Sequence, residues 1–185
     1  MKKDFGPKSW LYPMPVLIVA AYDKQGRPNA MNAAWGGIFS DEMIGICLSE
    51  GHKTTKNILA ARAFTVSMAT AAQTAACDYL GIVSGNDEPD KFAKAGFHAT
   101  RSAHVDAPMI DELPMTLECE LVSYDAESCH MVGRIVNVAA DESILTDGRI
   151  DLRKLRPVTY DPIRLEYVEL GADAGKAFAC GRKLK

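Results

Sequence analysis

Long apolar runs are missing from this chain, and no stretch nears the roughly 20 residues that a helix needs to cross a bilayer. The N-terminus, Met1 to Pro15, carries Lys2 and Lys3 but then Asp4, Pro7, Lys8 and Pro13, so it lacks the apolar middle of a secretion signal. A cationic excess is missing too. The formal net charge is -3, whereas a general nucleic-acid binder needs surplus positive charge to displace counterions. Neither a membrane nor a nucleic acid is therefore an expected partner. Cysteine is scarce and odd in number: Cys47, Cys77, Cys119, Cys129 and Cys180 are scattered, with no CxxC. That pattern argues against a disulfide framework and for reduced thiols in the cytoplasm. The four histidines are equally dispersed, which leaves a structural zinc site without support.

Several chemistries lack their signatures. No GxGxxG lies between a strand and a helix, so a Rossmann dinucleotide site is not indicated. No GxSxG marks a nucleophile elbow. The run Gly171 to Ala177 superficially suggests a phosphate loop, but it is one residue short between its glycines and has alanine where Ser or Thr would bind magnesium. The adjacent carboxylates Asp41/Glu42, Asp87/Glu88 and Asp111/Glu112 fall in loop-like segments, where solvated turns account for them better than acid–base pairs.

What is present reads as one globular domain spanning residues 1–185, mainly β with a few helices. Hydrophobic residues make up 48% and charged residues 24%, a balance that supports a real core and excludes a disordered chain. Pro15 to Tyr22 is apolar and rich in β-branched residues, as in a buried strand. Asp23 to Pro28 supplies turn chemistry, and Ala30 to Phe39 and Met43 to Leu48 read as two further strands. Short polar turns between consecutive strands favour an antiparallel meander. Helical signals follow at Thr54 to Ala61, where a hydroxyl is available as a cap, at Ala71 to Ile82, and at Asp90 to Ala95 ahead of Gly96. Ala63 to Met68 returns to strand alternation. Pro114 to Tyr124 and Cys129 to Ala139 predict a long strand pair, and Pro157 to Tyr160 with Ile163 to Leu170 closes the chain with β character. The expected whole is an antiparallel β-barrel decorated by helices.

Two segments carry the functional case. In Asn29 to Gly37, the small residues Ala33, Ala34, Gly36 and Gly37 would let a flat cofactor approach the backbone; the same residues would also serve a barrel bend or a packed helix. In Ser49 to Asn57, two lysines, a histidine and several hydroxyls gather where a strand gives way to a helix. Free N–H groups and the positive end of the helix dipole make such a place an anion site, although an ordinary capped surface helix has the same look. Lys53 supplies a point charge, and Ser49, Thr54 and Thr55 supply hydroxyl donors. Together the segments describe a site for a mononucleotide such as FMN.

The chain resembles the flavin reductase-like, or flavoredoxin-type, FMN-binding split-barrel family. The resemblance lies in the opening Pro15 to Val19, in Asn32-Ala33-Ala34-Trp35, and in His52-Lys53-Thr54-Thr55-Lys56-Asn57-Ile58. It continues through Ser84-Gly85, Asp90-Lys91-Phe92 and Ala95-Gly96-Phe97, and ends in Tyr167 to Gly171 and Phe178 to Gly181. One departure is Asp41-Glu42-Met43 after Ser40, where relatives often have two prolines. The resemblance implies that the backbone of Asn32, Ala33, Ala34 and Trp35 runs past the flavin. It implies that Ser49, His52, Lys53 and Thr54 hold the phosphate, with Thr55 beside them, and that Ser84, Gly85 and Lys91 line the same pocket or its dimer-related edge. It also implies a homodimer of barrels with flavin at or near the interface.

With FMN bound, the ring would carry the hard chemistry and the protein would orient it. The expected reaction is hydride transfer from NADH or NADPH to the flavin and onward transfer to a small-molecule or protein acceptor. The main alternative is an FMN electron carrier without its own NAD(P)H turnover. A second is a split barrel holding pyridoxal phosphate or haem. No side chain is assigned a catalytic role: Cys47 fits a strand thiol, and Trp35 fits stacking on flavin or packing equally well.

Overall fold

The structure is a computed structural model that describes residues 1–184, apart from the side chain of Lys183. Its frame is a sheet of seven strands, all paired antiparallel. In chain order these are β1 (Leu17–Tyr22), β2 (Pro28–Ala33), β3 (Gly36–Ser40), β4 (Met43–Cys47) and β5 (Ala63–Met68). Two short strands follow, β6 (Ala99–Arg101) and β7 (Pro108–Ile110), and pair with each other. The long β8 (Met115–Asp125) and β9 (His130–Ala140) complete the sheet, whose spatial order is β2-β1-β5-β8-β9-β4-β3. Two small hairpins lie beyond it: β10 (Leu145–Thr146) with β11 (Arg149–Ile150), and β12 (Val158–Asp161) with β13 (Glu166–Glu169). The helices are α1 (Lys53–Ala61), α2 (Thr74–Ile82), α3 (Lys91–Lys94) and α4 (Leu152–Leu155).

β1 shows why the sheet curls between two layers. Its odd positions Leu17, Val19 and Ala21 enter one apolar cluster with Phe64, Val66, Leu117 and Met131. Its even positions Ile18 and Ala20 enter a second cluster with Cys77 and Leu80 of α2 and Phe92 of α3. A strand buried on both faces reads as a continuous apolar run, which is what Leu17 to Ala21 provides. Ile58 of α1 joins the first cluster, so the two helices serve opposite faces.

The strand expected over Ala30 to Phe39 is broken into β2 and β3 by Ala34 and Trp35. These two residues join the two edge strands of the sheet, which stay unpaired with one another. The break is where the curled sheet nearly closes into a split barrel. Trp35 O accepts from Cys47 N at 2.8 Å. A Cβ on Gly36 would lie 3.1 Å from Leu17 Cδ1 and 3.0 Å from Gly45 O, so a larger residue would have to push its neighbours apart by a few tenths of an ångström. A continuous strand would have carried Trp35 past this corner.

Other expectations need adjustment. The strand expected from Ile163 begins at Glu166, because Pro162 to Leu165 form the turn that pairs β13 with β12. The strands β6, β7, β10 and β11 and helix α4, all four residues or fewer, were too short to show a period. Thr54 is not the cap of α1. His52 holds the N-cap position without a side-chain bond, and Thr54 accepts a bond from β2 instead.

Candidate functional site

β2 carries the site, because α1 and α2 both pack against it. At its first turn of the ladder, Asn29 Nδ2 donates to Thr54 Oγ1 at 2.6 Å, and both residues are buried. The loop after α2 is pulled to the same place. Asn86 Nδ2 donates to Gly51 O at 3.0 Å, and Lys56 Nζ donates to Asn86 Oδ1 at 3.4 Å. Gly85 then sits so close that a Cβ there would overlap Asn29 Oδ1 and lie 3.2 Å from Lys53 Cβ. The result is a small hollow of about 160 Å³ lined by Asp23, Arg27, Asn29, Lys53, Gly85 and Asn86.

The hollow is lined by one cation held in an ion pair, Arg27, and by a second, Lys53. Arg27 is held by Asp23, with Nε and Nη2 each 3.0 Å from Oδ2. Burial alone would raise the Asp23 carboxyl, but the backbone N–H groups of Arg27 and Gln25 and the guanidinium bring it below its ordinary value. Among the described residues Lys53 makes no such pair and the first turn of α1 has no side-chain cap. Uncapped N–H groups at a helix start together with a free ammonium favour an anion.

The other end of β2 borders two larger hollows that share Ala34. One, of about 400 Å³, is lined by Asn32 and Ala34, by Asp78, Gly81 and Ile82 of α2, and by Tyr160, Leu165 and Tyr167 of the last hairpin. The other, of about 510 Å³, lies between Ala34-Trp35-Gly36 and the N-terminal segment Lys8 to Pro15. Inside the first, Tyr167 Oη donates to Asp78 Oδ1 at 2.7 Å and accepts from Asn32 Nδ2 at 3.3 Å. Burial, and then the bond to Asp78, hold the Tyr167 phenol well above its ordinary value, so it stays protonated.

The residues singled out from the sequence are thus divided. Lys53 and Gly85 meet at the small hollow, and Asn32, Ala34 and Trp35 meet at the larger ones. Ser49 and His52 are exposed on the loop before α1, where Ser49 Oγ accepts from Gly51 N at 3.4 Å. Ser84 Oγ accepts from Asn86 N at 3.2 Å and so shapes the loop rather than the wall. Ala33 points into the apolar core, and Thr55 is buried with its hydroxyl unpartnered. Lys91 does not reach any of the three hollows: it is buried, with Nζ donating to Leu80 O at 2.9 Å and to Val83 O at 2.8 Å at the end of α2. Asn86, Asp78, Tyr160 and Tyr167 were not foreseen. They come from α2, the loop after it and a hairpin far from β2 in sequence, and no spacing links them to it.

The curled antiparallel sheet, open between its edge strands β2 and β3, is the split barrel of flavin reductase-like proteins. The chain belongs to the flavin reductase like domain family, whose sequence model matches residues 9–165. It is similar to a flavoredoxin of Desulfovibrio vulgaris (Miyazaki F), 38% identical, with 98% of this chain and 100% of that chain covered and a TM-score of 0.93. A flavoredoxin from Methanosarcina acetivorans is 27% identical with both chains fully covered and a TM-score of 0.90. At 20% identity, the FMN-binding domain of a flavin reductases-like enzyme from Shewanella baltica shares the fold, with 88% of each chain covered and a TM-score of 0.78. Among the described residues no helix is long and apolar enough to cross a membrane.

Proposed function

We propose that this protein binds FMN along β2 and acts as an FMN-dependent oxidoreductase, accepting hydride from NADH or NADPH and passing electrons to a second acceptor. The observation that carries the reading is the polarity of β2: an unpaired lysine at an uncapped helix start marks one end, and roomy hollows mark the other. Asn29 to Ala33 spans about 13 Å of extended strand, a reach that suits a phosphate and a ring joined by a sugar chain. The 400 and 510 Å³ hollows fall in the range usual for small-molecule sites, about 300–1,000 Å³.

In this reading Lys53 and the first-turn N–H groups of α1 hold the phosphate, and Asn29 and Gly85 shape its pocket. Asn32, Ala34 and Trp35 border the ring. When bound, the flavin supplies hydride acceptance and electron storage, and the protein supplies orientation and electrostatics. Backbone N–H groups beside the ring stabilise negative charge on it.

A homodimer is part of the proposal. Trp35, Ile38 and Phe39 are 60%, 69% and 60% exposed on and beside β3, an apolar edge that a second barrel would cover. A second reading, an FMN electron carrier fed by a protein partner, is favoured by the 38% identity to a flavoredoxin over nearly the whole chain. An anaerobic absorption spectrum separates them. Flavin bands that bleach on adding NADH or NADPH support the reductase. Bands that neither nucleotide bleaches support the carrier, and a colourless protein that takes up no added FMN refutes both.

A further inference from the structure

The bonds at the 400 Å³ hollow form a chain with only one possible direction. A carboxylate offers lone pairs and no proton, so at 2.7 Å Asp78 Oδ1 must receive the Tyr167 hydroxyl hydrogen. With that hydrogen spent, the Tyr167 oxygen is free only to accept, and it accepts from Asn32 Nδ2 at 3.3 Å. The amide of Asn32 is therefore turned: Nδ2 faces Tyr167 and the wall at Gly81, where it lies 3.6 Å from the position a Cβ would take. Its Oδ1 is left as an acceptor at the hollow that Asn32 lines.

The geometry points to Asp78 and Tyr167 as positioning residues that fix Asn32 with its carbonyl oxygen toward the hollow, so that the bound ring must offer an N–H there. Neither residue needs to touch the ligand. The inference rests on the FMN reading, since a flavin carries a ring N–H between two carbonyls and gains another on reduction. The raised Tyr167 phenol agrees with it, because a phenolate would have no hydrogen to give Asp78 and the bond between them would be lost.

Asp78→Asn lifts the constraint while preserving the shape. An amide can accept from Tyr167 as the carboxylate did or donate to it, and where it donates, Tyr167 donates to Asn32 Oδ1 and Asn32 turns N–H groups to the hollow. Tyr167→Phe frees Asn32 to turn in the same way. With oxidised and reduced FMN titrated separately, each variant should bind at least one of the two forms about threefold more weakly, a part of one good hydrogen bond. Adding Asn32→Asp to Asp78→Asn puts a permanent acceptor back and should recover most of the lost affinity. Thermal melts of each variant establish that it is folded. Redox titration adds an independent reading. If the threefold loss is confined to the reduced form, the midpoint potential falls by about 15 mV for two electrons, which assigns the N–H gained on reduction. If the potential is unchanged, the N–H is the one present in both states. Wild-type affinity for both forms and a wild-type potential in both single variants would overturn the assignment. A wild-type protein that takes up no FMN refutes instead the reading on which it rests.

Discussion

Asn29 on β2 and Thr54 in the first turn of α1 are joined by a buried bond of 2.6 Å, and Gly85 closes over the pair. Three segments distant in sequence are thereby locked around one small hollow. The hydroxyl of Thr54 is buried in the lock as its acceptor, and Lys53 beside it carries the charge at the hollow. Gly85→Ala tests the tightness of the lock. Its Cβ would overlap Asn29 Oδ1, which must rotate and surrender the bond to Thr54. The buried hydroxyl then loses its donor, at a cost of about 1–3 kcal/mol. A lower urea midpoint and weaker FMN binding are expected together; a variant as stable as the wild type would show that the loop yields freely.

Lys53→Ala should separate phosphate binding from ring binding. Only the phosphate meets Lys53 in the proposed arrangement, so FMN affinity should fall by about tenfold or more while riboflavin affinity stays within about twofold. Titration of both flavins by fluorescence quenching makes the comparison. Equal losses for the two would move the phosphate elsewhere.

Much of the frame was legible because it depends on local pattern. The strand pair expected at Pro114 to Tyr124 and Cys129 to Ala139 lies at Met115–Asp125 and His130–Ala140, and α1 begins one residue before Thr54. Both have a clean period and clear turn residues. The break at Ala34-Trp35 was not legible, since closure of a sheet is a long-range event and small residues fit a strand as readily as a corner. Lys91 shows the same limit from the other side. The family resemblance implied a lysine lining the pocket or its dimer-related edge, and within one chain tertiary packing places Nζ on two carbonyls at the end of α2. Asp78 and Tyr167 are 89 residues apart, and nothing but the fold brings them together.

The exposed apolar edge gives a prediction about assembly. Phe39→Asp puts a carboxylate into a surface where Trp35, Ile38 and Phe39 lie open, and burying it unpaired against a second copy is costly. Light scattering should show wild-type dimers and a variant shifted to monomers at micromolar concentration. A variant that stays dimeric would place the contact on another face.

Lys91 predicts an unusual pH dependence of stability. It is 3% exposed, and burial pushes its ammonium down to about 8, against about 10.4 for a lysine in an unfolded chain. A neutral amine keeps two N–H groups, enough for the carbonyls of Leu80 and Val83, so deprotonation leaves both bonds intact. Below about pH 8 both states hold the proton, and the folded state bears the burden of a buried charge. Between about pH 8 and about pH 10.4 the unfolded chain retains a proton that the folded chain has released, so this group's contribution to stability rises with pH. Lys91→Met removes the titrating group. Urea unfolding at intervals from pH 7.5 to pH 10.5, a range set about that window, should show the wild-type midpoint gaining on the variant's as pH increases. Parallel curves for the two proteins would mean that the carbonyls hold the ammonium charged throughout.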